Sequence, residues 1–137
     1  MALYAIYSNS MQKKTDLEKL SRLRGALRDA LKELETTLDV AFERSALVKG
    51  NVYELARKCG KPSCACATGP LHRGMVLSWS HQGKTRLMTI PPETLDRVRA
   101  NSENYLRYRR ARARVTEIHQ QILKLLDQIE KLRRKKP

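Results

Sequence analysis

Leucines recur over residues 15–49 at spacings of three, four and seven, which is typical of a helix that buries one stripe against another helix. The stripe consists of Leu17, Leu20, Leu27, Leu31, Leu34, Leu38 and Ala41, with Leu23 beside it. Thr15 and Glu18 match a capping box, in which each side chain satisfies an unpaired amide of the first turn. Gly50 suits the left-handed position that follows a last helical turn. The pattern predicts a first coiled-coil helix over residues 15–49. It is preceded by an N-terminal arm over residues 1–14, in which Leu3–Tyr7 as an edge strand is the alternative.

A second helical pattern occupies residues 92–137 and begins at a proline pair, which fits a first helical turn because proline has no amide hydrogen. Its apolar positions are Leu95, Val98, Tyr105, Tyr108, Val115, Ile118, Ile122, Leu125, Ile129 and Leu132. The spacing is regular from Val115 onward and irregular between Asn101 and Arg114. The two stripes can bury each other in an antiparallel hairpin or pair between two chains, and the sequence leaves both open.

Residues 50–91 differ in composition and predict three short strands. These are Asn51–Leu55, Met75–Ser80 and Lys84–Ile90, with a glycine-containing turn between the last two. The two-residue period of a strand places Met75, Leu77 and Trp79 on one face. Leu87 is expected to meet them across the hairpin.

All three cysteines lie in this segment, in the motif Cys59-Gly60-Lys61-Pro62-Ser63-Cys64-Ala65-Cys66. With His72 six residues further on, three thiolates and one imidazole supply the four ligands that a structural zinc site needs. A small sheet with one tryptophan has little core, so a bound metal would contribute to its folding. Three reduced cysteines in a turn-rich loop, without metal, are the alternative.

The fourth ligand has two candidates, His72 and His81. His81 lies at the predicted hairpin turn, where a solvated side chain is expected. His72 is preferred because a single loop connects it to Cys66. The predicted cofactor is therefore Zn²⁺, with the ligands Cys59, Cys64, Cys66 and His72.

These elements predict an α+β fold that is mainly helical and forms one domain overall. Two long helices make an antiparallel coiled-coil hairpin. The small zinc-stabilised antiparallel β module, residues 50–91, is inserted at the tip of that hairpin. The second helix, residues 92–137, ends in a basic tail.

The run GNVYELARKCGKPSCACATGPLH, followed by LSW, GKTR and a proline before a helix, resembles a small bacterial family of unknown function. Members of that family carry a Cys-Gly-Lys-Pro-x-Cys-x-Cys motif followed by a histidine. The resemblance covers about residues 50–92. It implies a zinc site at the three cysteines and His72, and it implies no activity.

Charge narrows the class of partner. The chain has 28 Lys and Arg against 14 Asp and Glu, a formal net charge of +14, which favours a polyanion such as nucleic acid. Residues 51–91 contribute +5 and residues 92–137 contribute +7. The densest run has five arginines and no acid: Arg107, Arg109, Arg110, Arg112 and Arg114. The β module adds Arg57, Lys58, Lys61, Arg73, Lys84 and Arg86.

These residues predict a nucleic-acid-binding accessory or regulatory protein, with DNA favoured over RNA because no RNP-like aromatics or GxxG clamp is present. The alternative is a coiled-coil assembly subunit with a structural zinc tip, as a homodimer or in a larger complex through the leucine seams. We expect no enzymatic activity, because phosphate-cradling loops, nucleophile elbows and paired carboxylates are absent from the sequence. No apolar run is long enough for a membrane span, and the N-terminus lacks a secretory pattern, so a cytoplasmic, nucleoid-associated location is expected.

Overall fold

The computed structural model of the chain describes residues 2–137. Its elements are, in chain order, α1 (Ala2–Phe42), β1 (Asn51–Arg57), β2 (His72–His81), β3 (Lys84–Thr89) and α2 (Leu95–Arg133). Short 3₁₀ turns at Ala65–Ala67 and Pro92–Thr94 precede β2 and α2. Two compact units divide the chain: a helical unit, formed by the residues up to Phe42 with Arg110–Pro137, and a sheet unit, Glu43–Arg109.

Helix α1 begins and ends earlier than the sequence predicts. Thr15 is not a cap, because it lies inside the helix and its hydroxyl donates a hydrogen bond of 3.0 Å to the Met11 carbonyl. The predicted arm is helical from Ala2, whereas Met1 lies outside the described residues. Neither Pro nor Gly interrupts residues 2–14, so helical hydrogen bonding continues through them.

The last part of the predicted first helix, residues 43–49, is not helical. Its backbone instead bonds to the first part of α2. The Val48 amide donates to the Asn101 carbonyl at 3.0 Å, and the Asn104 side chain donates to the Ala46 carbonyl at 3.3 Å. These tertiary bonds satisfy backbone groups that a longer α1 would have paired internally.

The buried stripe of α1 differs from the predicted one. Half-buried or buried positions alternate at spacings of three and four through Leu20, Leu23, Leu27, Ala30, Leu34 and Thr37. Ala30 is only 3% exposed, whereas Leu17, Leu31 and Leu38 are 67%, 50% and 37% exposed. These three leucines therefore form a second row beside the seam rather than part of it.

The predicted stripe of α2 is confirmed from Val115 onward. The least exposed positions are Ala111, Val115, Ile118, Ile122, Leu125, Ile129 and Leu132, and Ile118 is fully buried. Within the helical unit α1 and α2 run in opposite directions. Arg114 lies beside Glu33, and a groove of about 380 Å³ is lined by residues 19–23 of α1 and residues 128–132 of α2.

The three strands form an antiparallel sheet in the order β1-β2-β3. Gln82 and Gly83 join β2 to β3 with φ values of 51° and 74°, and two positive φ values in a two-residue hairpin loop match a type I′ turn. Met75, Leu77 and Trp79 share a face as predicted. Leu87 does not join them, because it lies opposite Ser78 and therefore on the other face.

Gly50 is confined by its neighbours and by its backbone. Its φ is +143°, and a Cβ there would lie 2.7 Å from Leu77 Cδ1 and 2.7 Å from the Ser78 carbonyl oxygen. Its own carbonyl accepts a hydrogen bond of 2.5 Å from the buried Ser102 hydroxyl. The glycine predicted to end a helix therefore holds the chain against β2 immediately before β1.

Replacing Gly50 by alanine is expected to destabilise the sheet unit by about 1–3 kcal/mol, because the new Cβ meets atoms on two sides in a strained backbone conformation. Urea unfolding followed by the fluorescence of Trp79 measures this loss. Gly74→Ala is the control in the same unit, since nothing lies within 4 Å of a Cβ at Gly74. Equal effects of the two substitutions would contradict the role given to Gly50.

Candidate metal centre and basic surface

The register of β1 and β2 brings together the two ends of the segment that holds the cysteines. Arg57, the last residue of β1, is the Cα partner of His72, the first residue of β2. Cys59 follows Arg57 by two residues, so the sheet places it near His72. Residues 58–71 form the loop that closes this end of the strand pair.

Tight turns inside the loop point the other two cysteines back at the same place. Gly60 has a φ of +83°, and the Cys64 amide donates to the Lys61 carbonyl at 3.1 Å. The 3₁₀ turn that begins after Cys64 includes Cys66, which is 2% exposed and is the most buried of the three cysteines.

The four side chains form a single cluster, which we call the Cys₃His cluster: Cys59, Cys64, Cys66 and His72. Their ligand atoms all lie within 4.8 Å of one another. Cys59 Sγ and Cys66 Sγ are 3.5 Å apart, and Cys64 Sγ and His72 Nε2 are 3.2 Å apart. This spacing allows all four residues to bind one metal ion.

Hydrogen bonds favour thiolate at two of the cysteines. The backbone amide of Cys66, then the side chains of Cys66, His72 and Cys59, lower the pKa of Cys64 to about 6. The backbone amide of Lys61 is the main cause of the lowered pKa of Cys59. Metal ions bind the thiolate form of cysteine, so these shifts prepare the cluster for a metal.

The pKa values of Cys66 and His72 are raised. The Cys59 amide, 3.4 Å from Cys66 Sγ, lowers the pKa of Cys66, but burial and the two neighbouring thiols outweigh it and the net shift is a rise. Hydrogen bonds from His72 to Cys59 and Cys64 raise the pKa of the imidazole. A metal cation bound in place of the protons on Cys66 and His72 would reduce the repulsion between neighbouring thiolates.

The rival histidine does not belong to the cluster. His81 ends β2 opposite Lys84, nine residues after His72, which is about 30 Å at about 3.3 Å per strand residue. His72, and not His81, therefore lies with the three cysteines, and its role as the fourth metal ligand stays a prediction.

Acidic side chains that the sequence analysis did not single out pair with two members of the arginine run. Arg107 pairs with Glu43, and Arg114 donates to Glu33 at 2.6 Å and to Glu117 at 2.7 Å. Glu117 and Glu33 also raise the pKa of Arg114. Glu117 follows Arg114 by three residues and is visible as a helical neighbour in the sequence, whereas Glu33 and Glu43 are 81 and 64 residues away from their arginines.

The three central arginines of the run differ from those two. Arg109, Arg110 and Arg112 are exposed on α2 and have no acidic partner within residues 2–137. The helical period explains their exposure, because the half-buried positions around them are Tyr108, Ala111 and Val115. They leave three positive charges of α2 available to a ligand.

The basic residues of the sheet unit fall into two groups. Arg57, Lys58 and Lys61 are exposed in or beside the loop of the Cys₃His cluster. Lys84 and Arg86 are exposed on β3 and share the sheet face of the half-buried Trp79, which lies opposite Arg86. Arg73 is the exception, since it pairs with Glu54 at 2.9 Å.

The fold and the site define a class: a mainly helical protein with a small three-stranded antiparallel sheet and a Cys₃His cluster able to hold a metal ion. The chain belongs to the family of DUF6788, a domain of unknown function, which matches residues 17–100. That range contains the whole cluster and ends before the arginine run. No curated protein and no solved structure matches the chain.

None of the helices in the described part of the chain is both long enough and apolar enough to span a membrane. This finding agrees with the sequence, in which charged residues make up 31% of the chain.

Proposed function

We propose that this protein binds nucleic acid, and that a zinc ion held by the Cys₃His cluster stabilises its sheet unit. The observation that carries the nucleic-acid proposal is the exposure of Arg109, Arg110 and Arg112 without an acidic partner among residues 2–137. A protein of this kind would act as an accessory or regulatory factor in the cytoplasm, at the nucleoid if its ligand is DNA.

The donor set favours zinc among the common metals. Thiolate and imidazole are the ligands zinc prefers in structural sites, with Zn–S near about 2.3 Å and Zn–N near about 2.0 Å. A tetrahedron with these bonds has sulfur atoms about 3.8 Å apart, and the observed 3.5 Å between Cys59 Sγ and Cys66 Sγ is close to that value. Hard cations such as Mg²⁺ and Ca²⁺ bind oxygen ligands, which the cluster lacks.

A zinc ion with four protein ligands has no open position for water, which supports a structural role. Bound there, zinc would neutralise charge among three thiolates and hold the loop of residues 58–71 closed. The chain's own groups orient the ligands: the Lys61 and Cys66 amides donate to Cys59 and Cys64, and the strand pairing fixes His72.

Arginine suits a phosphate backbone because its planar guanidinium can donate to two oxygens at once. Arg109, Arg110 and Arg112 lie within four consecutive residues of one helix, so their charges act over a short stretch of ligand. Because duplex DNA carries closely spaced phosphates and condensed counterions, clustered cations gain affinity by releasing those counterions. This supports binding that is sensitive to salt and tolerant of sequence.

The sheet unit offers a second set of contacts. Lys84 and Arg86 on β3 have no ion-pair partner in the described chain, and Trp79 on the same face supplies an apolar ring. Further positive charge lies in or beside the proposed zinc loop, at Arg57, Lys58 and Lys61. DNA is favoured over RNA because the sequence carries no RNP-like aromatics and no GxxG clamp.

Titrating a labelled duplex with the zinc-loaded protein at several salt concentrations tests the proposal. Three phosphates neutralised by the central arginines give a slope of about −2.7 when the logarithm of the association constant is plotted against the logarithm of the salt concentration. Further contacts from the sheet unit would make this slope steeper. A single strand of RNA measured in parallel tests the preference for DNA. Affinity that stays constant between about 50 and about 200 mM salt would contradict nucleic-acid binding.

A further inference from the structure

A row of exposed leucines on α1 lies beside the seam of the helical unit. Leu17, Leu31 and Leu38 are 67%, 50% and 37% exposed, and they are separated by multiples of seven residues. A seven-residue repeat returns to the same side of a helix, so the three side chains form one stripe. Within the row, the position between Leu17 and Leu31 is taken by Arg24, which is also exposed.

Helix α1 carries opposite net charges in its two parts. Residues 13–32 hold seven basic and three acidic side chains, a net charge of +4. Residues 33–42 hold three acidic and no basic side chains, a net charge of −3. The change of sign falls between Leu31 and Leu38.

The charges beside the row follow the same division. Arg24 and Arg28 lie in the positively charged part of the helix, and Glu35 and Asp39 lie in the negatively charged part. All four are exposed, and none of them has an ion-pair partner in the described part of the chain. Residues 28 and 35 are helical neighbours of Leu31 at i−3 and i+4, so their charges border the apolar stripe directly.

We propose that the part of this row from Arg24 to Leu38 binds a second copy of the same chain, with the two α1 helices antiparallel and Leu31 packed against Leu31 of the second copy. In this register Leu38 lies against the aliphatic stem of Arg24 of the second copy. The antiparallel arrangement sets Arg24 and Arg28 of one copy beside Glu35 and Asp39 of the second copy, and the reverse. A two-fold axis repeats each contact, which is the usual symmetry of homodimers.

Two alternatives fit the same observations less well. A parallel pair would place like charges together along the whole row, which disfavours it. A nucleic acid suits the positive part of α1 but not the negative part or the leucines. The net charge of +14 opposes self-association at long range, but charges separated by more than about 8 Å are largely screened at physiological salt.

The first test compares sedimentation of the zinc-loaded full chain with that of Leu31→Gln/Leu38→Gln across the micromolar range. The wild type is expected to reach twice the monomer mass, and the double variant to dissociate with a dimer Kd raised at least about tenfold. Leu47→Gln/Leu106→Gln is the matched control, because these leucines are 44% and 41% exposed in the sheet unit. Far-ultraviolet circular dichroism confirms that each variant is folded.

A charge exchange tests the antiparallel direction. Glu35→Lys/Asp39→Lys makes all four charges beside the row positive, and Arg24→Glu/Arg28→Glu makes all four negative, so each variant alone is expected to be monomeric. An equimolar mixture is expected to form a heterodimer, since every opposing pair is again of opposite sign. A monomeric wild type, a dimer that survives loss of the leucines, or a mixture that stays monomeric would overturn the proposal.

Discussion

Replacing Arg109, Arg110 and Arg112 by alanine together is expected to flatten the salt dependence of DNA binding, reducing the slope of log K against log salt by about 2.7. Each of the three arginines is exposed and lacks an acidic partner in the described chain, so each is free to displace a counterion from a phosphate. Alanine keeps the helix, because it has the highest helix propensity. Fluorescence anisotropy with a labelled duplex at several salt concentrations measures the slope.

The matched control removes the same amount of charge elsewhere. Lys13, Lys14 and Lys32 are exposed on α1, and replacing all three by alanine changes the net charge equally. The account predicts a slope close to that of the wild type for this control. If both triple variants lost the same slope, the binding would depend on overall charge, and the arginine run would have no special part in it.

If the proposed zinc site is correct, replacing Cys66 by serine is expected to weaken zinc binding by roughly a hundredfold or more, because it removes one of the four proposed ligands. Cys66 is the most buried member of the cluster, so a serine hydroxyl there also lacks access to solvent. Zinc per chain by elemental analysis measures the loss. The fluorescence of the single tryptophan, Trp79 on β2, reports the accompanying change in the sheet unit.

His81→Ala is the control for the ligand variant. His81 lies on β2, the strand that also carries His72, but it pairs with Lys84 at the far end of that strand. It is therefore outside the Cys₃His cluster. The account predicts one zinc per chain in His81→Ala and a large deficit in both Cys66→Ser and His72→Ala. Full zinc occupancy in Cys66→Ser, or its loss in His81→Ala, would show that the ligand set is wrong.

The Cys₃His cluster was accessible from the sequence because its chemistry is local. The three cysteines lie within eight consecutive residues, and one short loop joins them to His72. The hairpin of β2 and β3 was accessible for a similar reason, since Gly83 marks its turn. The sheet face on which Leu87 lies was predicted wrongly. The turn has two residues, which shifts the pairing of β2 and β3 by one position relative to the predicted pairing and moves Leu87 to the opposite face.

The stripe of α1 shows where pattern alone is insufficient. Leucine occupies seam positions such as Leu20 and Leu27, and also the neighbouring positions Leu17, Leu31 and Leu38. Both sets have helical spacing, so the choice depends on the partner helix. Ala30 and Thr37, which the pattern did not single out, are less exposed than the three outer leucines because small side chains fit where two helices are close.

The arginine run was also located correctly on a helix, but its ion pairs were not foreseen. Glu33 and Glu43 are far from Arg114 and Arg107 in sequence, and only the folded chain brings them together. Two of the five arginines therefore pair with the protein's own carboxylates. The remaining three carry the proposal for nucleic acid.

X-ray absorption at the zinc edge of the purified protein is the most direct test of the proposed zinc site. The account predicts one zinc per chain with about three sulfur ligands near about 2.3 Å and about one nitrogen ligand near about 2.0 Å. A shell dominated by oxygen, or a protein that retains no zinc, would contradict it.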